Sequence, residues 1–377
     1  MDFGFTEEQE MLRTSAKDFL TKECPKAKVR ELEESEKRYD SDMWLKMAEL
    51  GWTGLVIPDK YGGTECGIID LMVLLEEMGR NILPSPFFST VVLCSLPILE
   101  YGTEEQKDKI LKKVSSGETI LSLALTESAG TCKASDIKVR ATAEESNYII
   151  SGTKMFVADA NVADYLLVAA RTSDGPDPED GITLFLVDAK SQGIRMETLP
   201  TIAADNQCEV VFDKVNVFKN DILGEIGQGW KIIEYILYQA ALLKSAETLG
   251  ACEALLDTGT TYAKERIQFD KPIGSFQSIQ HKLSELLIDI EGLRYLLHET
   301  AWKVSEGIPA DKAVSMVKAK ANQVYQRVAL DVIQVHGAIG FTKDHDVGLY
   351  FRRVKAAEFA YGDSEYHREK IAVEMGL

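Results

Sequence analysis

The stretch NYIISGTKMFV (147–157) decides the fold, because it is rich in β-branched and aromatic residues that follow the two-residue period of a strand. Other runs of this kind precede and follow it, with no helix-length pattern between them, and SDGPDPEDG (173–181) forms a predicted hairpin or loop between two of those runs. The other runs are ILSLALTE (120–127), DYLLVAAR (164–171), ITLFLVD (182–188) and CEVVFDKVNV (208–217). Residues 119–223 are therefore predicted to form an antiparallel β domain, a small barrel or sandwich.

The segment before these runs has its apolar residues at helical spacing. Thr6 with Gln9 and Thr103 with Gln106 have the spacing of a capping box, and an apolar-periodic run follows each pair. Residues 1–118 are therefore predicted to form an α-helical domain.

Long helical patterns return after GEIGQGW (224–230). Three of them cover residues 230–267, 275–307 and 309–340, and a shorter one follows. They are enough for a four-helix bundle over residues 224–377. The predicted fold class is α+β, with a helical, a β and a helical domain in that order.

Composition and motifs exclude several classes of protein. The 377 residues include 42 basic and 60 acidic ones, a net charge of −18, so nucleic acid and anionic membrane are disfavoured partners. The sequence begins without an export signal, and prolines break its longest uncharged run (81–99), which predicts a cytoplasmic protein. It contains no GxGxxG ahead of a βαβ unit, no GxxxxGK[ST] and no GxSxG. The sequence therefore does not indicate a Rossmann nucleotide-binding protein, a P-loop protein or an α/β-hydrolase.

The cysteines and histidines show no metal-binding pattern. No two of the six cysteines lie closer than 28 positions, and the five histidines form no HExxH motif. We therefore expect no metal site, and we interpret the cysteines as small buried thiols.

Three segments, in matching order along the chain, resemble the acyl-CoA dehydrogenase family. The first is LALTESAG (123–130), followed by GTKMFVADA (152–160). The second, YAKERIQFDKPIGSFQSIQHKLSEL (262–286), is similar to the family's Y-A-x-x-R-x-Q-F-G-x-P-I-x-x-F-Q stretch, with Asp270 where the family has glycine. The third, QVHGAIGFTKDHDVGLYFRR (334–353), is similar to the family's Q-x-x-G-G-x-G-Y/F helix end. MDFGFTEEQEML (1–12) and GLVIPDKYGG (54–63) extend the similarity to the whole chain.

The resemblance implies a flavoprotein oxidoreductase that binds FAD, with the flavin ring between the β domain and the helix bundle. It places Leu125 and Thr126 at the isoalloxazine edge, and Phe156 and Ala158 against the ring's other face. Ala158 stands where the family has a small hydroxyl residue, so a side-chain hydrogen bond that the flavin usually receives is lost. Arg266 suits the neighbouring subunit's flavin because its planar fork can hold two phosphate oxygens. The other FAD contacts that the resemblance implies are Gln268, Phe269, Gln277, Gln334, Gly337, Ala338, Asp363 and Glu365.

The family's catalytic base is missing. Members place a glutamate over Cα of the CoA thioester, either in a C-terminal Y-E-G-T/S segment or one residue before an arginine of the first bundle helix. A count without gaps from Arg352 to Arg368 puts the first position at Tyr361. A count back from Gly250 puts the second at Ala240, and its arginine at Ala241.

Four explanations compete. Another acid can substitute: Asp363 is near, although it also suits a turn residue or flavin contact, and Glu234 would face away from Ala240. Tyr361 can act as a hydrogen-bond donor or base, although an unperturbed phenol near pKa 10 is a poor base. The base can lie elsewhere for an unusual substrate, with PSPFFSTVVLCS (84–95) lining an acyl pocket or simply forming core. Finally, a partner chain can carry the base, or the flavin chemistry can need none.

The function that the resemblance implies is dehydrogenation of an acyl-CoA thioester, with hydride passing to flavin N5 and electrons passing on to an electron-transfer flavoprotein. The missing base suits an alicyclic or aromatic-pathway acyl-CoA. The alternatives are a base-less subunit of a hetero-oligomeric acyl-CoA dehydrogenase and a lyase or desulfinase-like, non-oxidative enzyme. Because Arg266 and Gln277 would complete an adjacent flavin site, we expect a homotetramer.

Overall fold

The computed structural model describes residues 4–145 and 147–377, so the first three residues of the MDFGFTEEQEML segment lie outside the described chain. The chain packs into two compact units, each drawn from separate stretches of sequence. The helical unit holds the described residues up to Glu31, with 67–83 and 241–377, and the β unit holds 32–66 and 84–240. The division into three consecutive domains, at 1–118, 119–223 and 224–377, stays a prediction.

The predicted order of helical, β and helical regions is confirmed. The α-helices are α1 (Glu7–Glu23), α2 (Lys26–Glu34), α3 (Ser41–Glu49), α4 (Ile68–Asn81), α5 (Leu96–Tyr101), α6 (Glu104–Ser115), α7 (Gly229–Glu265), α8 (Gln277–Ser305), α9 (Asp311–His336), α10 (Asp346–Phe359) and α11 (Ser364–Glu374). A π-helix over Phe88–Ser95 leads into α5. The boundary between the two units falls within α7, between Ala240 and Ala241.

Both predicted capping boxes are present. The Thr6 hydroxyl accepts from Gln9 N at 3.2 Å, and the Gln9 side chain accepts from Thr6 N at 3.0 Å. Thr103 and Gln106 make the same reciprocal pair at the start of α6. Each box satisfies amide donors that the first turn of a helix leaves free.

The β unit is built on a single mixed sheet with strand order β6-β7-β3-β2-β4-β5-β8 and with β1 beside β4. The strands are β1 (Leu121–Ala124), β2 (Arg140–Glu144), β3 (Asn147–Ala158), β4 (Tyr165–Arg171), β5 (Ile182–Asp188), β6 (Ile194–Thr198), β7 (Gln207–Phe218) and β8 (Ile222–Leu223). The prediction of an antiparallel sheet is wrong for two strand pairs. Strand β4 runs parallel to β1, and it meets β2 at one parallel residue pair. Parallel pairing needs a long connection, and the roughly 40 residues between β1 and β4 supply it.

In the helical unit, α9 packs against α8, α10 and α11, and α4 packs against α1 and α8. Two glycines let α4 and α7 come very close. A Cβ at Gly79 would lie 1.8 Å from Glu247 O, and a Cβ at Gly250 would lie 1.8 Å from Glu76 O. Any larger residue at either position would push these helices apart.

Over residues 4–145 and 147–377, no helix is long and apolar enough to cross a membrane, and no three acidic, histidine or cysteine side chains form a group that could hold a metal ion. All six cysteines are free thiols. Cys24, Cys94, Cys208 and Cys252 are buried as predicted. Cys66 and Cys132 are only half-buried, so the prediction is wrong for these two, which lie in loops rather than in the core.

Candidate active site

The loop that follows β1 is anchored by a buried ion pair. Lys154 on β3 is fully buried, and its Nζ donates to Leu125 O at 2.9 Å and to Glu127 Oε1 at 2.7 Å. The Glu127 carboxylate also accepts from the backbone amides of Lys138 and Val139. Burial lowers the pKa of Lys154 to about 8, with the Glu127 carboxylate opposing the shift. These bonds fix the backbone on both sides of Thr126.

A β-bulge turns Phe156 outward. The pairing of β3 with β7 shifts register between Lys154 and Val157, and Phe156 there has a φ of +54°. Its ring is 52% exposed, although it belongs to a strand of the sheet. Bulges often re-aim a side chain in this way at functional sites. Half-buried Thr126 joins this strand, because its carbonyl accepts from Met155 N at 2.9 Å.

In the helical unit, a short hairpin extends from the end of α7. Its strands are β9 (Ile267–Gln268) and β10 (Lys271–Pro272). The two turn residues, Phe269 and Asp270, have φ values of +53° and +62°, as a two-residue hairpin turn requires. Aspartate tolerates this conformation better than most residues, which explains how it replaces the family's glycine. Phe269 at the tip is 84% exposed.

The hairpin and the end of α9 lie at the same end of the helical unit. Tyr262, just before the hairpin, stacks on His336 with ring centroids 4.3 Å apart. Phe269 also contacts Phe276, edge to face at 6.0 Å, at the start of α8. The structure therefore brings together several exposed residues that the sequence singles out for FAD: Arg266, Gln268, Phe269, Gln277, Gln334, Gly337 and Ala338.

These groups fit FAD. Phe156 offers an exposed aromatic face that suits the flavin ring, and Thr126 offers a hydroxyl beside a fixed backbone. Arg266 is exposed, and within the described chain its guanidinium makes no ion pair, so its charge is available to a pyrophosphate. Ala158 presents only a methyl group and donates nothing to a flavin. The role of each residue toward FAD stays a prediction.

Tyr361 stands on a tight turn between α10 and α11. Its φ is +59°, and Gly362 follows with a φ of +100°. A Cβ on Gly362 would lie 2.4 Å from the Tyr366 ring and 2.7 Å from His367 Nε2, so glycine alone fits there. His367 Nε2 lies 3.1 Å from Tyr361 O and donates to it. The Tyr361 side chain is half-buried.

The acidic residues considered as substitutes for the missing base lie in settings that suit other roles. Asp363 is the N-cap of α11, and its carboxylate accepts from Tyr366 N at 2.8 Å. This favours its interpretation as a turn residue over a base. Glu365 is exposed in the first turn of α11. Ala240 is fully buried, whereas Glu234 is exposed, so the two lie on different faces of α7.

Sequence reasoning missed the supporting residues Lys154, Glu127 and His367. Lysine and glutamate are normally exposed, so a sequence pattern ranks them as surface residues. The alternation of the strand could have indicated that Lys154 is buried, because Lys154 falls on the side of β3 that faces the core.

Models of the three parts of acyl-CoA dehydrogenases match this chain: the N-terminal domain over residues 6–118, the middle domain over 122–215 and the C-terminal domain over 227–376. The 3-(aryl)acrylate reductase of Clostridium sporogenes is 31% identical over 98% of this chain and 99% of its own.

Solved structures agree with these matches. A chain of the ChsE4-ChsE5 complex from Mycobacterium tuberculosis has a TM-score of 0.91 at 30% identity, covering 100% of this chain and 99% of its own. A chain of the structure described as the electron transferring flavoprotein of Acidaminococcus fermentans has a TM-score of 0.92 at 29% identity, with the same coverage. The chain therefore belongs to the acyl-CoA dehydrogenase family and is an FAD-dependent oxidoreductase of that family.

Proposed function

We propose that this enzyme transfers a hydride between flavin and Cβ of an acyl-CoA thioester. Tyr361 exchanges the proton at Cα in the same reaction. The observation that carries the proposal is the Tyr361 turn. By the count from Arg352 to Arg368, a phenol takes the position of the family's glutamate. Its backbone carbonyl accepts a hydrogen bond from His367, and the neighbouring Asp363 carboxylate is engaged as a helix cap.

The chemistry of a phenol favours the reductive direction. Bound FAD supplies hydride exchange at its N5 atom. A phenol carries a proton that it can give to a carbanion, and it is a weaker base than a carboxylate poised over a weakly acidic Cα–H would be. In reduction of an α,β-unsaturated thioester, Cβ gains the hydride and Cα gains the proton of the Tyr361 hydroxyl. The phenolate then recovers a proton from water.

The proposed substrate is an α,β-unsaturated acyl-CoA with an aromatic or alicyclic group, and the saturated acyl-CoA is the substrate in the dehydrogenating direction. The name of the Clostridium sporogenes relative, a 3-(aryl)acrylate reductase, supports this class. The PSPFFSTVVLCS segment supports it less. Phe87 is only 1% exposed, as a core residue would be, although the π-helix that begins at Phe88 is a conformation often found at functional sites.

The proposed partners are an electron-transfer flavoprotein and further copies of this chain. The neighbour described as an electron transferring flavoprotein supports the first. Geometry within the helical unit supports the second. Gln334, near the hairpin, lies 16 residues along α9 from Lys318, which contacts the end of α10, and a helical rise of about 1.5 Å separates these levels by about 24 Å. Arg266 and Tyr361 are thus suited to different flavins of a homotetramer.

The test is anaerobic and follows the absorption band of oxidised flavin. Chemically reduced enzyme should regain this band when mixed with an aryl- or alicyclic-substituted enoyl-CoA. Tyr361→Phe should slow that step about 100-fold at unchanged FAD content, as loss of general acid catalysis does. Tyr366→Phe, which removes a hydroxyl from the next helix, is the matched control. An unchanged rate in Tyr361→Phe would refute the role of the phenol.

Tyr361→Glu tests the position itself. A carboxylate there should bring bleaching of oxidised flavin by saturated acyl-CoAs, because it can accept the Cα proton. A variant that holds FAD but gains no dehydrogenation would show that position 361 does not overlie Cα.

A second candidate is a subunit of a hetero-oligomeric acyl-CoA dehydrogenase whose partner carries the base. It is favoured by the solved neighbour that is a complex of two differently named chains, ChsE4 and ChsE5. In that case the isolated chain would neither bleach nor regain flavin absorption with any acyl-CoA or enoyl-CoA. Activity would appear only after a second, similar chain was added.

A further inference from the structure

Two side chains of α9, one helical turn apart, hold the last turn of α10. Lys318 Nζ donates to Ala357 O at 2.9 Å and to Asn322 Oδ1 at 2.6 Å. Asn322 Nδ2 donates to Glu358 O at 3.3 Å. The last carbonyls of a helix have no partner within the helix, so these bonds satisfy two groups that α10 leaves free.

Lys318 is an unusual residue to find here, because it is 1% exposed and its ammonium is therefore costly to bury. Burial lowers its pKa to about 7, Lys244 lowers it further, and Glu358 and Asp363 oppose the shift. Charged or neutral, the amine keeps at least two N–H donors, which is the number that its two bonds require. A cation at the C-terminal end of α10 also interacts favourably with the helix dipole.

The bonds lie directly next to the turn that carries Tyr361. α10 ends at Phe359, and Ala360 alone stands between that helix and Tyr361. The carbonyls of Ala357 and Glu358 are thus fixed before the turn, and the carbonyl of Tyr361 is fixed from the other side by His367. Lys318 and Asn322 thus bond to the last two carbonyls of α10 that precede Phe359 and the turn.

We propose that Lys318 is a positioning residue for Tyr361. Together with Asn322 it holds the end of α10, and this placement aims the phenol at the reacting carbon. The inference rests on the proposed function in that it takes Tyr361 to act on the substrate, but the hold on the turn can be measured separately.

The first measurement is hydrogen exchange of the FAD-loaded protein. Two amides report on the turn: Ala360 N bonds to Ala356 O, and Tyr366 N bonds to Asp363 Oδ1. Lys318→Met should speed exchange in the peptide 357–367 at least 10-fold. Lys320→Met is the matched control, since Lys320 lies on the same helix but pairs with Asp289 at 2.9 Å, away from the turn. Unchanged exchange in Lys318→Met would overturn the proposal.

The second measurement is a double-mutant cycle on the single-turnover rate of enoyl-CoA reduction. Lys318→Met alone should lower the single-turnover rate at saturating enoyl-CoA about 10- to 100-fold, because a misplacement of about 1 Å has effects of this size. The enoyl-CoA concentration that gives half of this rate should change little. In the Tyr361→Phe background the same change should cost less than about twofold, since the group it positions is gone. Full additivity would overturn the proposal.

The two measurements separate the proposal from the proposed function. Faster exchange in Lys318→Met with no effect of Tyr361→Phe on the rate would leave the hold on the turn standing and refute the phenol as proton donor. If Lys318→Met does not fold, Asn322→Leu tests the pair instead, because it removes the bond to Glu358 O and one of the two bonds of Lys318. Exchange in the peptide 357–367 should again be faster, and unchanged exchange would overturn the joint hold of Lys318 and Asn322 on α10.

Discussion

The Nε2–H of His367 donates to the carbonyl oxygen of Tyr361 across 3.1 Å, so the neutral imidazole must carry its proton on Nε2. Nδ1 is then an acceptor, and it is buried without a hydrogen-bond partner in the described chain. Burial lowers the pKa of His367 to about 4, and Lys318 and Lys370 lower it further, while the bond to Tyr361 and the Asp363 carboxylate oppose the shift. The histidine that supports the turn is therefore neutral in the folded protein.

His367 should make the fold sensitive to acid. Between about pH 6.5 and pH 4 the unfolded chain binds a proton at this residue and the folded chain does not, so stability falls as the pH falls through this window. The full effect is about 3 kcal/mol. His367→Gln keeps an N–H donor and does not titrate. Its unfolding free energy, measured in urea at pH 7 and pH 4, should therefore drop by about 3 kcal/mol less than that of the wild type. Equal losses would contradict the assignment.

The arrangement of the fold followed from local patterns. Helical spacing and the capping boxes at Thr6 and Thr103 are local signals, and they correctly separate helical from β regions. The parallel pairing of β1 with β4 depends on which distant strands meet, and alternation along one strand carries no such information. The π-helix over Phe88–Ser95 likewise depends on hydrogen bonding that residue types do not specify.

The candidate site was only partly accessible from the sequence. A count along the sequence singled out Tyr361 and Asp363 as candidates, but only the structure shows that Asp363 caps α11. The buried lysines Lys154 and Lys318 escaped notice because lysine in a sequence indicates surface. Their partners, Glu127 and the carbonyls of α10, lie too far along the chain for any spacing rule to pair them.

Arg266 should matter for FAD more than for folding. Its side chain is exposed, and within the described residues it makes no ion pair, so Arg266→Ala breaks no salt bridge of the folded chain. If it binds the pyrophosphate of a neighbouring flavin, FAD affinity should fall at least 10-fold. FAD content after gel filtration and melting temperature are the two readouts. Lys264→Ala, two residues earlier, is the control. Full retention of FAD in Arg266→Ala would contradict its assignment to the cofactor.

Restoring a hydroxyl at position 158 should change the flavin. Ala158 is half-buried at the end of β3 and carries no donor. In Ala158→Ser, a hydrogen bond to the flavin should stabilise the charge of the reduced form and make its potential more positive by about 30 mV, which is about 1.4 kcal/mol for two electrons. Spectroelectrochemical titration gives the potential. Ala143→Ser, on an exposed position of β2, should leave it unchanged, and the same null result for Ala158→Ser would show that residue 158 does not contact the flavin.

Breaking the buried pair beneath the Leu125–Thr126 backbone should destabilise the protein. Lys154 is fully buried and bonds to both Leu125 O and Glu127. In Lys154→Met the Glu127 carboxylate would remain buried without its cation, at a cost of about 3 to 5 kcal/mol. Chemical denaturation of the FAD-loaded protein measures the loss. Part of it should return in Lys154→Met/Glu127→Gln, because the glutamine is uncharged and its amide oxygen can still accept from the amides of Lys138 and Val139. A double variant no more stable than Lys154→Met would mean that the lost packing of Lys154, rather than the unpaired charge, accounts for the cost.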